Sequence, residues 1–208
     1  MARVGELDGS ALPADLQTLW KTFSTPPRDF TNQVRVLAHS PDAFRHLYGL
    51  IEALRSSPSL SPRLIEIAVV TTSRVNACPY CVGHHGAALA AHGLEPETIE
   101  NILEPDVPGL SEKERLVRDY ARLVSERAWG IRDSVFEDLS KHFDEREIVE
   151  LTVRIGLCTL FNKFNQALQI DAETSLMTML SGSGLEAGEG MPTSPARTND
   201  KTSREEAQ

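Results

Sequence analysis

The sequence lacks several features that would assign it to common classes of protein. No run of apolar residues approaches the ~20 needed for a transmembrane helix, and the polar start does not resemble a secretory signal. We therefore expect no membrane association and a cytoplasmic location. The 30 acidic residues exceed the 21 basic residues, which gives a formal net charge of −9. Nucleic-acid binding is not expected, because it depends on clustered Lys and Arg.

Aromatic residues are also scarce, at 6% of the chain, and no stretch alternates as a half-buried strand would. The apolar residues are mainly Leu, Ala, Ile and Val, and they recur at helical spacing. Helix starts are indicated by a proline after serine or by a capping box. These starts are Ser40-Pro41, Ser61-Pro62, Ser111 with Glu114, and Asp144 with Glu147. We predict an all-α fold, with the second of these helices ending near Val75.

The length of 208 residues suits one well-buried domain. Residues 1–10 have no clear pattern and are expected to be poorly ordered. Residues 11–180 are predicted to form the single all-α domain. Residues 181–208 are rich in Gly, Ser, Pro and charge, and we expect a disordered C-terminal tail because little apolar surface can be buried there.

Cysteine is rare, and two of the three cysteines are close neighbours. The stretch Cys78-Pro79-Tyr80-Cys81 has the spacing of a pair that closes into a disulfide and reopens. Cys158 lies in an apolar run and is predicted to be a core residue. A zinc site completed by His84 and His85 is disfavoured, because four ligands on one short helical stretch cannot easily surround a metal. We expect neither a metal nor another cofactor.

The residues around the cysteine pair suggest how a thiol could be activated. A helix N-terminus favours a thiolate, and His85 follows Cys81 by one helical turn on the same face. We predict Cys81 as the attacking thiolate and Cys78 as the resolving thiol. His84 faces about 100° away and is predicted to lie at the surface or an interface. Tyr80 is expected to be half-buried.

Glu66 interrupts the apolar helix segment 64–70, where an unpaired carboxylate would be costly. It is either a surface or arginine-paired residue, or a general base or proton relay. Twelve residues separate it from Cys78, about 18 Å along an unbroken helix. A break at Val75-Asn76-Ala77 would instead form a helical hairpin, because Asn tolerates turn conformations. Glu66 and His85 would then lie at a similar level.

The combination of Glu66, the Cys78–Cys81 pair and His85 resembles the alkylhydroperoxidase AhpD-like, carboxymuconolactone decarboxylase superfamily. The segments 36–41, 147–151 and 162–165 are also similar to family members, so the resemblance spans roughly residues 31–170. It implies a single-domain AhpD-like helical bundle with a helical hairpin that carries the cysteine motif. It also implies assembly as a homo-oligomer.

For function, the resemblance implies a thiol-dependent alkyl hydroperoxidase or disulfide oxidoreductase. Cys81 would become a sulfenic acid, Cys78 would close the disulfide, and a dithiol or lipoylated protein would reopen it. Glu66 and His85 match the family's proton relay, whereas Tyr80 stands where AhpD itself has a histidine. Two alternatives remain open: a lyase or isomerase that acts on a lactone acid through Glu66 and His85, and a redox-sensing module whose disulfide switches assembly.

Overall fold

The computed structural model of the chain describes residues 2–26, 28–183 and 185, and these are mostly helical. The prediction of an all-α bundle is confirmed. The described residues form the helices α1 (Gln17–Phe23), α2 (Thr31–Leu37), α3 (Pro41–Ser56), α4 (Pro62–Val75), α5 (Pro79–Ala91), α6 (Pro96–Glu100), α7 (Glu112–Arg127), α8 (Asp133–Leu139), α9 (Glu145–Leu168) and α10 (Thr174–Ser183). One short antiparallel pair, β1 (Ser24–Thr25) with β2 (Arg28–Asp29), joins α1 to α2. Short 3-10 turns at Gly9–Ala11, Ala14–Leu16 and Ala128–Gly130 complete the elements.

All four predicted helix starts are found in the structure, and three of them have a side-chain cap; Ser40, before α3, makes no capping hydrogen bond. The Ser61 side chain accepts a hydrogen bond from the Leu64 amide, and α4 begins with proline. At the start of α7, Ser111 and Glu114 form the predicted reciprocal capping box. An equivalent box caps α9, the longest helix among the described residues. Each cap satisfies amide groups that have no partner within the helix, which fixes where the helix begins.

Helix α4 lies at the centre of the bundle and packs against α5, α7 and α9. Its apolar side chains contribute to the main hydrophobic core, which explains why nearly all of its faces are apolar. A second core cluster lies under the N-terminal helices α1 to α3 and includes Phe23, Phe44 and Tyr48. Phe161 of α9 belongs to this second cluster, so α9 contacts both cores.

The break between α4 and α5 is confirmed, and it has the geometry of a Schellman C-cap. The Cys78 amide donates to the Ser73 carbonyl at 2.9 Å, and the Ala77 amide donates to the Arg74 carbonyl at 3.0 Å. The left-handed residue is Ala77, with φ of 50°, rather than Asn76, for which the sequence suggests the turn. The Asn76 side chain instead donates to Asn162 of α9 at 3.0 Å, which ties the turn to the bundle.

The chain segment before α1, expected to have little order, makes specific contacts with the bundle. The Arg3 amide donates to the Leu168 carbonyl at 2.8 Å, and the Leu7 amide donates to the Arg35 carbonyl at 3.1 Å. Nearly every residue type has the same backbone donor and acceptor, so the sequence does not reveal which residues form these contacts. Of the predicted C-terminal tail, only residues 181–183 and 185 are among the described residues. The domain boundaries themselves stay predictions.

A bilayer-spanning helix is absent from the part of the chain that the structure describes, since none of its helices combines the necessary length and apolarity.

Candidate active site

The cysteine motif lies at the start of α5, where both thiols are buried and free. Cys78 is the N-cap residue, and Cys81 lies in the first helical turn. Pro79 stands between them at the first helical position, where its missing amide hydrogen costs nothing. The unpaired amides and the dipole of the helix start favour a negative charge on a sulfur at this position.

The two thiols differ in acidity because they are hydrogen-bonded to each other. Chiefly because the Cys81 thiol donates to it, the pKa of Cys78 is lowered from 9.0 to about 7. The same hydrogen bond, followed by burial, raises the pKa of Cys81 well above its usual value. The sequence predicts the thiolate at Cys81, whereas the structure places the more acidic thiol at the N-cap. The reason is that a thiol one turn into the helix can donate back to the capping sulfur.

Glu66 and His85, which the sequence pairs through the hairpin, are hydrogen-bonded in the structure. The Nδ1 atom of His85 lies 2.8 Å from a carboxylate oxygen of Glu66. Both side chains are partly exposed and line the same cavity as Cys81. Since Glu66 engages Nδ1, the second ring nitrogen of His85 is available to exchange a proton. The helical hairpin therefore brings these three residues to one cavity.

A chain of buried polar side chains ends on the sulfur of Cys81. The hydroxyl of Tyr48 donates to the Gln33 side chain, whose amide donates to Asn165 at 2.8 Å. The Asn165 amide in turn donates to the Cys81 sulfur at 3.2 Å. In this direction the sulfur receives a donor, which stabilises a thiolate relative to a thiol. No sequence motif predicts this series of hydrogen bonds, because its side chains come from α2, α3 and α9.

His84 belongs to a second cluster, centred on the carboxylate of Glu173. The Nε2 atom of His84 lies 2.8 Å from one oxygen of Glu173. The other oxygen accepts from the Tyr80 hydroxyl at 2.9 Å and from the Asn32 amide at 2.8 Å. His84 is buried and does not lie at the surface, because α2 and the segment before α10 cover this side of α5. The alternative that it lies near an interface stays a prediction. Tyr80 is fully rather than half buried.

The cavity beside these residues has a volume of about 560 Å³. Among its lining residues, Cys81, Tyr48 and Phe161 are buried, whereas Arg55 and His92 are exposed. Cys81 lines the cavity, whereas Cys78 is not among the lining residues. Of the two sulfurs, Cys81 is thus the one that a small molecule in the cavity would meet.

Cys158 is buried as predicted and contacts the Ser73 hydroxyl at 3.3 Å. Burial raises its pKa to about 12, so this thiol stays protonated at neutral pH. Among the residues that the structure describes, no three His, Cys, Asp or Glu side chains are grouped so that they could hold a metal ion.

Comparison with known proteins adds a family and a fold to this geometry. The model of the carboxymuconolactone decarboxylase family matches residues 41–122, which include Glu66, both cysteines of the motif and His85. The uncharacterized protein YnjA of Escherichia coli K12 is 28% identical over 126 residues, which cover 60% of this chain and 68% of YnjA.

Solved structures share the arrangement of helices. An uncharacterized peroxidase-related protein from Ralstonia eutropha JMP134, described as an alkylhydroperoxidase AhpD core, has a TM-score of 0.76 and 25% identity. The match covers 89% of this chain and 98% of that protein. The debrominase Bmp8, in complex with 2,3,4-tribromopyrrole, has a TM-score of 0.71 at 16% identity, with 88% of this chain and all 100% of Bmp8 covered. At that identity the likeness shows the fold alone, and a function must be argued from the site.

Proposed function

We propose that the chain is a thiol-dependent hydroperoxidase, since the model of the carboxymuconolactone decarboxylase family matches residues 41–122 and the fold is AhpD-like. The observation that carries the proposal is the position of Cys81. Its sulfur lines the cavity and forms two hydrogen bonds. The Cys81 thiol donates to the acidic Cys78 thiol and accepts from the Asn165 amide. A histidine–carboxylate pair lies in the same cavity.

The first step is the preparation of the attacking sulfur. As the pH rises through about 7, the cysteine pair acquires a negative charge, which rests mainly on Cys78. Transfer of the shared proton from Cys81 to Cys78 moves the charge to the sulfur that faces the cavity. The Asn165 amide stabilises that charge. Cys78 thus acts as the base for Cys81, and no distant group has to remove the proton.

The second step is oxygen transfer from the peroxide. The Cys81 thiolate attacks the terminal oxygen of the hydroperoxide, so that a sulfur–oxygen bond forms while the oxygen–oxygen bond breaks. The departing alkoxide takes a proton from His85 and leaves as an alcohol. Glu66 orients the imidazole and stabilises its protonated form. The sulfur of Cys81 is oxidised to sulfenic acid, and the peroxide is reduced.

The third step resolves the sulfenic acid. Cys78 loses its proton to His85 and attacks the Cys81 sulfur, which forms the disulfide. The hydroxyl group departs and recovers that proton, so that water is released. An external dithiol, which could be the lipoyl group of a partner protein, then exchanges with the disulfide and restores both thiols. The cycle requires no metal or organic cofactor.

Assembly as a homo-oligomer is part of the proposal, and it is supported by one face of α9. Val149, Val153 and Leu160 are exposed and recur at helical spacing on this face. Exposed apolar residues along one face are typical of a surface that contacts another protein chain.

We also propose that the protein is located in the cytoplasm.

The test is mass spectrometry of the reduced protein after substoichiometric hydroperoxide. We expect a disulfide between Cys78 and Cys81, formed with the release of one alcohol per disulfide. Cys81→Ser should abolish peroxide consumption, and Cys78→Ser should leave a sulfenic acid that dimedone traps. Cys158→Ser is the matched control and should behave as the parent.

Other outcomes would point to the alternatives. If both Cys81→Ser and Cys78→Ser consume peroxide as the parent does, the proposed peroxidase activity is refuted. Turnover of a lactone acid by the double variant would favour acid–base catalysis by Glu66 and His85. A disulfide that changes the native mass without catalytic turnover would favour a redox-sensing module.

A further inference from the structure

The residues that line the cavity differ in exposure and polarity. Arg55 and His92 are exposed lining residues, whereas Cys81 is a buried one. The rest of the lining is mainly apolar and includes Ile51, Leu54, Ile65, Val69 and Leu157. A volume of about 560 Å³ lies within the range that holds an organic ligand of many heavy atoms. Hydrogen peroxide, with two heavy atoms, would use little of this surface.

Positive charge predominates in the lining of the cavity. The lining includes three arginines, Arg28, Arg55 and Arg154. It includes one carboxylate, Glu66, which is hydrogen-bonded to His85. Two of the arginines already have acidic partners. Arg28 lies 3.3 Å from Glu52, and Arg154 lies 2.6 Å from Glu150.

Arg55 is the arginine of this group without an acidic partner. Within residues 2–26, 28–183 and 185, no carboxylate oxygen lies within 4.0 Å of its guanidinium. Its pKa is lowered, first by partial burial of the guanidinium and then by the positive charge of Arg28, while the more distant carboxylates of Glu52 and Glu66 act in the opposite direction. A bound anion would offset the lowering, because it would place an opposite charge in direct contact with the guanidinium.

We propose that the substrate is an organic hydroperoxide with an apolar chain and a terminal carboxylate. The carboxylate binds Arg55, the chain lies along the apolar lining, and the hydroperoxide group reaches Cys81. This inference rests on the proposed function, since it names the class of hydroperoxide that the same site would reduce. Arg55 is then a residue that determines specificity and has no part in oxygen transfer.

The kinetic test compares a hydroperoxide of linoleic acid with the hydroperoxide of its methyl ester, at fixed ionic strength. The parent should use the acid with a kcat/KM about ten-fold or more above that of the ester, because the ester cannot form the charge-assisted hydrogen bond to Arg55. Arg55→Gln should raise KM for the acid about ten-fold and leave the ester unchanged. Arg127→Gln, which changes an exposed arginine at the end of α7, is the matched control and should leave both substrates unchanged.

A binding measurement separates failure of this inference from failure of the peroxidase proposal. Linoleic acid and its methyl ester contain no peroxide, so their affinity for the Cys81→Ser variant can be measured by calorimetry without any reaction. Tighter binding of the acid, lost in Cys81→Ser/Arg55→Gln, supports the carboxylate site even if no peroxide is consumed. Equal binding of acid and ester, or an acid preference that survives Arg55→Gln, overturns it.

Discussion

His84 and His85 are adjacent on α5, and each has a ring nitrogen 2.8 Å from a carboxylate oxygen, yet their surroundings differ. In the pair of His84 with Glu173, the side chains are 7% and 5% exposed. In the pair of His85 with Glu66, they are 28% and 19% exposed. The same two residue types therefore form a buried pair in one place, where His84 still contributes to the cavity lining, and a more exposed pair in the other.

The difference is explained by how many hydrogen-bond donors each carboxylate has. Both oxygens of Glu173 are engaged, by His84 on one side and by Tyr80 and Asn32 on the other. For Glu66, His85 is the sole hydrogen-bond donor among the residues that the structure describes. A carboxylate that is saturated with donors holds its surroundings in place, whereas one with a free oxygen can take part in proton transfer. Exposure and saturation, rather than residue type, distinguish the two roles.

The largest expected effect concerns activity, and it tests whether the two pairs differ as argued. Glu66→Gln and His85→Asn should each lower kcat/KM for hydroperoxide by about 10²-fold or more, because the alkoxide loses its proton donor. Glu173→Gln is the matched substitution in the other pair. It should leave the activity per folded molecule within about three-fold of the parent, well under the range for general acid–base groups. Stopped-flow measurement of peroxide consumption checks both, and an equal loss in the two pairs would remove the distinction.

The next effect concerns stability, and here the Glu173 variant should be affected more than the Glu66 variant. Glu173→Ala should lower the free energy of unfolding by about 3 kcal/mol, because it leaves buried donors without an acceptor. Glu66→Ala removes a partly exposed carboxylate and should cost less than about 1 kcal/mol. Urea denaturation followed by circular dichroism measures both variants. If Glu66→Ala proved as destabilising as Glu173→Ala, its carboxylate would be structural as well.

The smallest expected effect concerns the pKa of Cys78 and its dependence on Cys81 and the two nearby histidines. Because the pKa of Cys78 is lowered to about 7, thiolate absorbance at 240 nm should appear as the pH rises through about 7 and vanish below it. Cys81→Ala removes the main donor and should move this midpoint upward, toward the ordinary value of 9.0. His85→Asn should raise it by less, because the positive charge of His85 is the weakest of the contributions.

His84→Asn is the control for that titration, since His84 is not among the groups that shift the pKa of Cys78. Its midpoint should equal that of the parent. A midpoint near 9 in the parent protein would contradict the assignment of the thiolate to Cys78.

The parts of the site that follow from local sequence could be predicted. The break before Cys78, the caps at Ser61 and Ser111, and the level of Glu66 against His85 depend on residues close together in the chain. Short-range hydrogen bonds and helical spacing determine them, and both can be derived from the sequence. The family resemblance was confirmed as well.

The parts that depend on distant segments could not be predicted. Glu173 is 89 residues from His84, and Asn165 is 132 residues from Gln33. Helical spacing gives the angle between His84 and His85, but it does not tell which other helix covers each side. The acidity of Cys78 was missed for a related reason, since it depends on the direction of one hydrogen bond between two thiols.

The polar chain from Tyr48 through Gln33 to Asn165 links the sulfur of Cys81 to the N-terminal helices. Tyr48 lies on α3 and Gln33 on α2, both of which pack over the bundle as a separate cluster. If these helices shifted away, Asn165 would lose the contact that fixes its amide, and the sulfur would lose its donor. The reactivity of the Cys81 sulfur therefore depends on whether α2 and α3 are packed in place against the bundle.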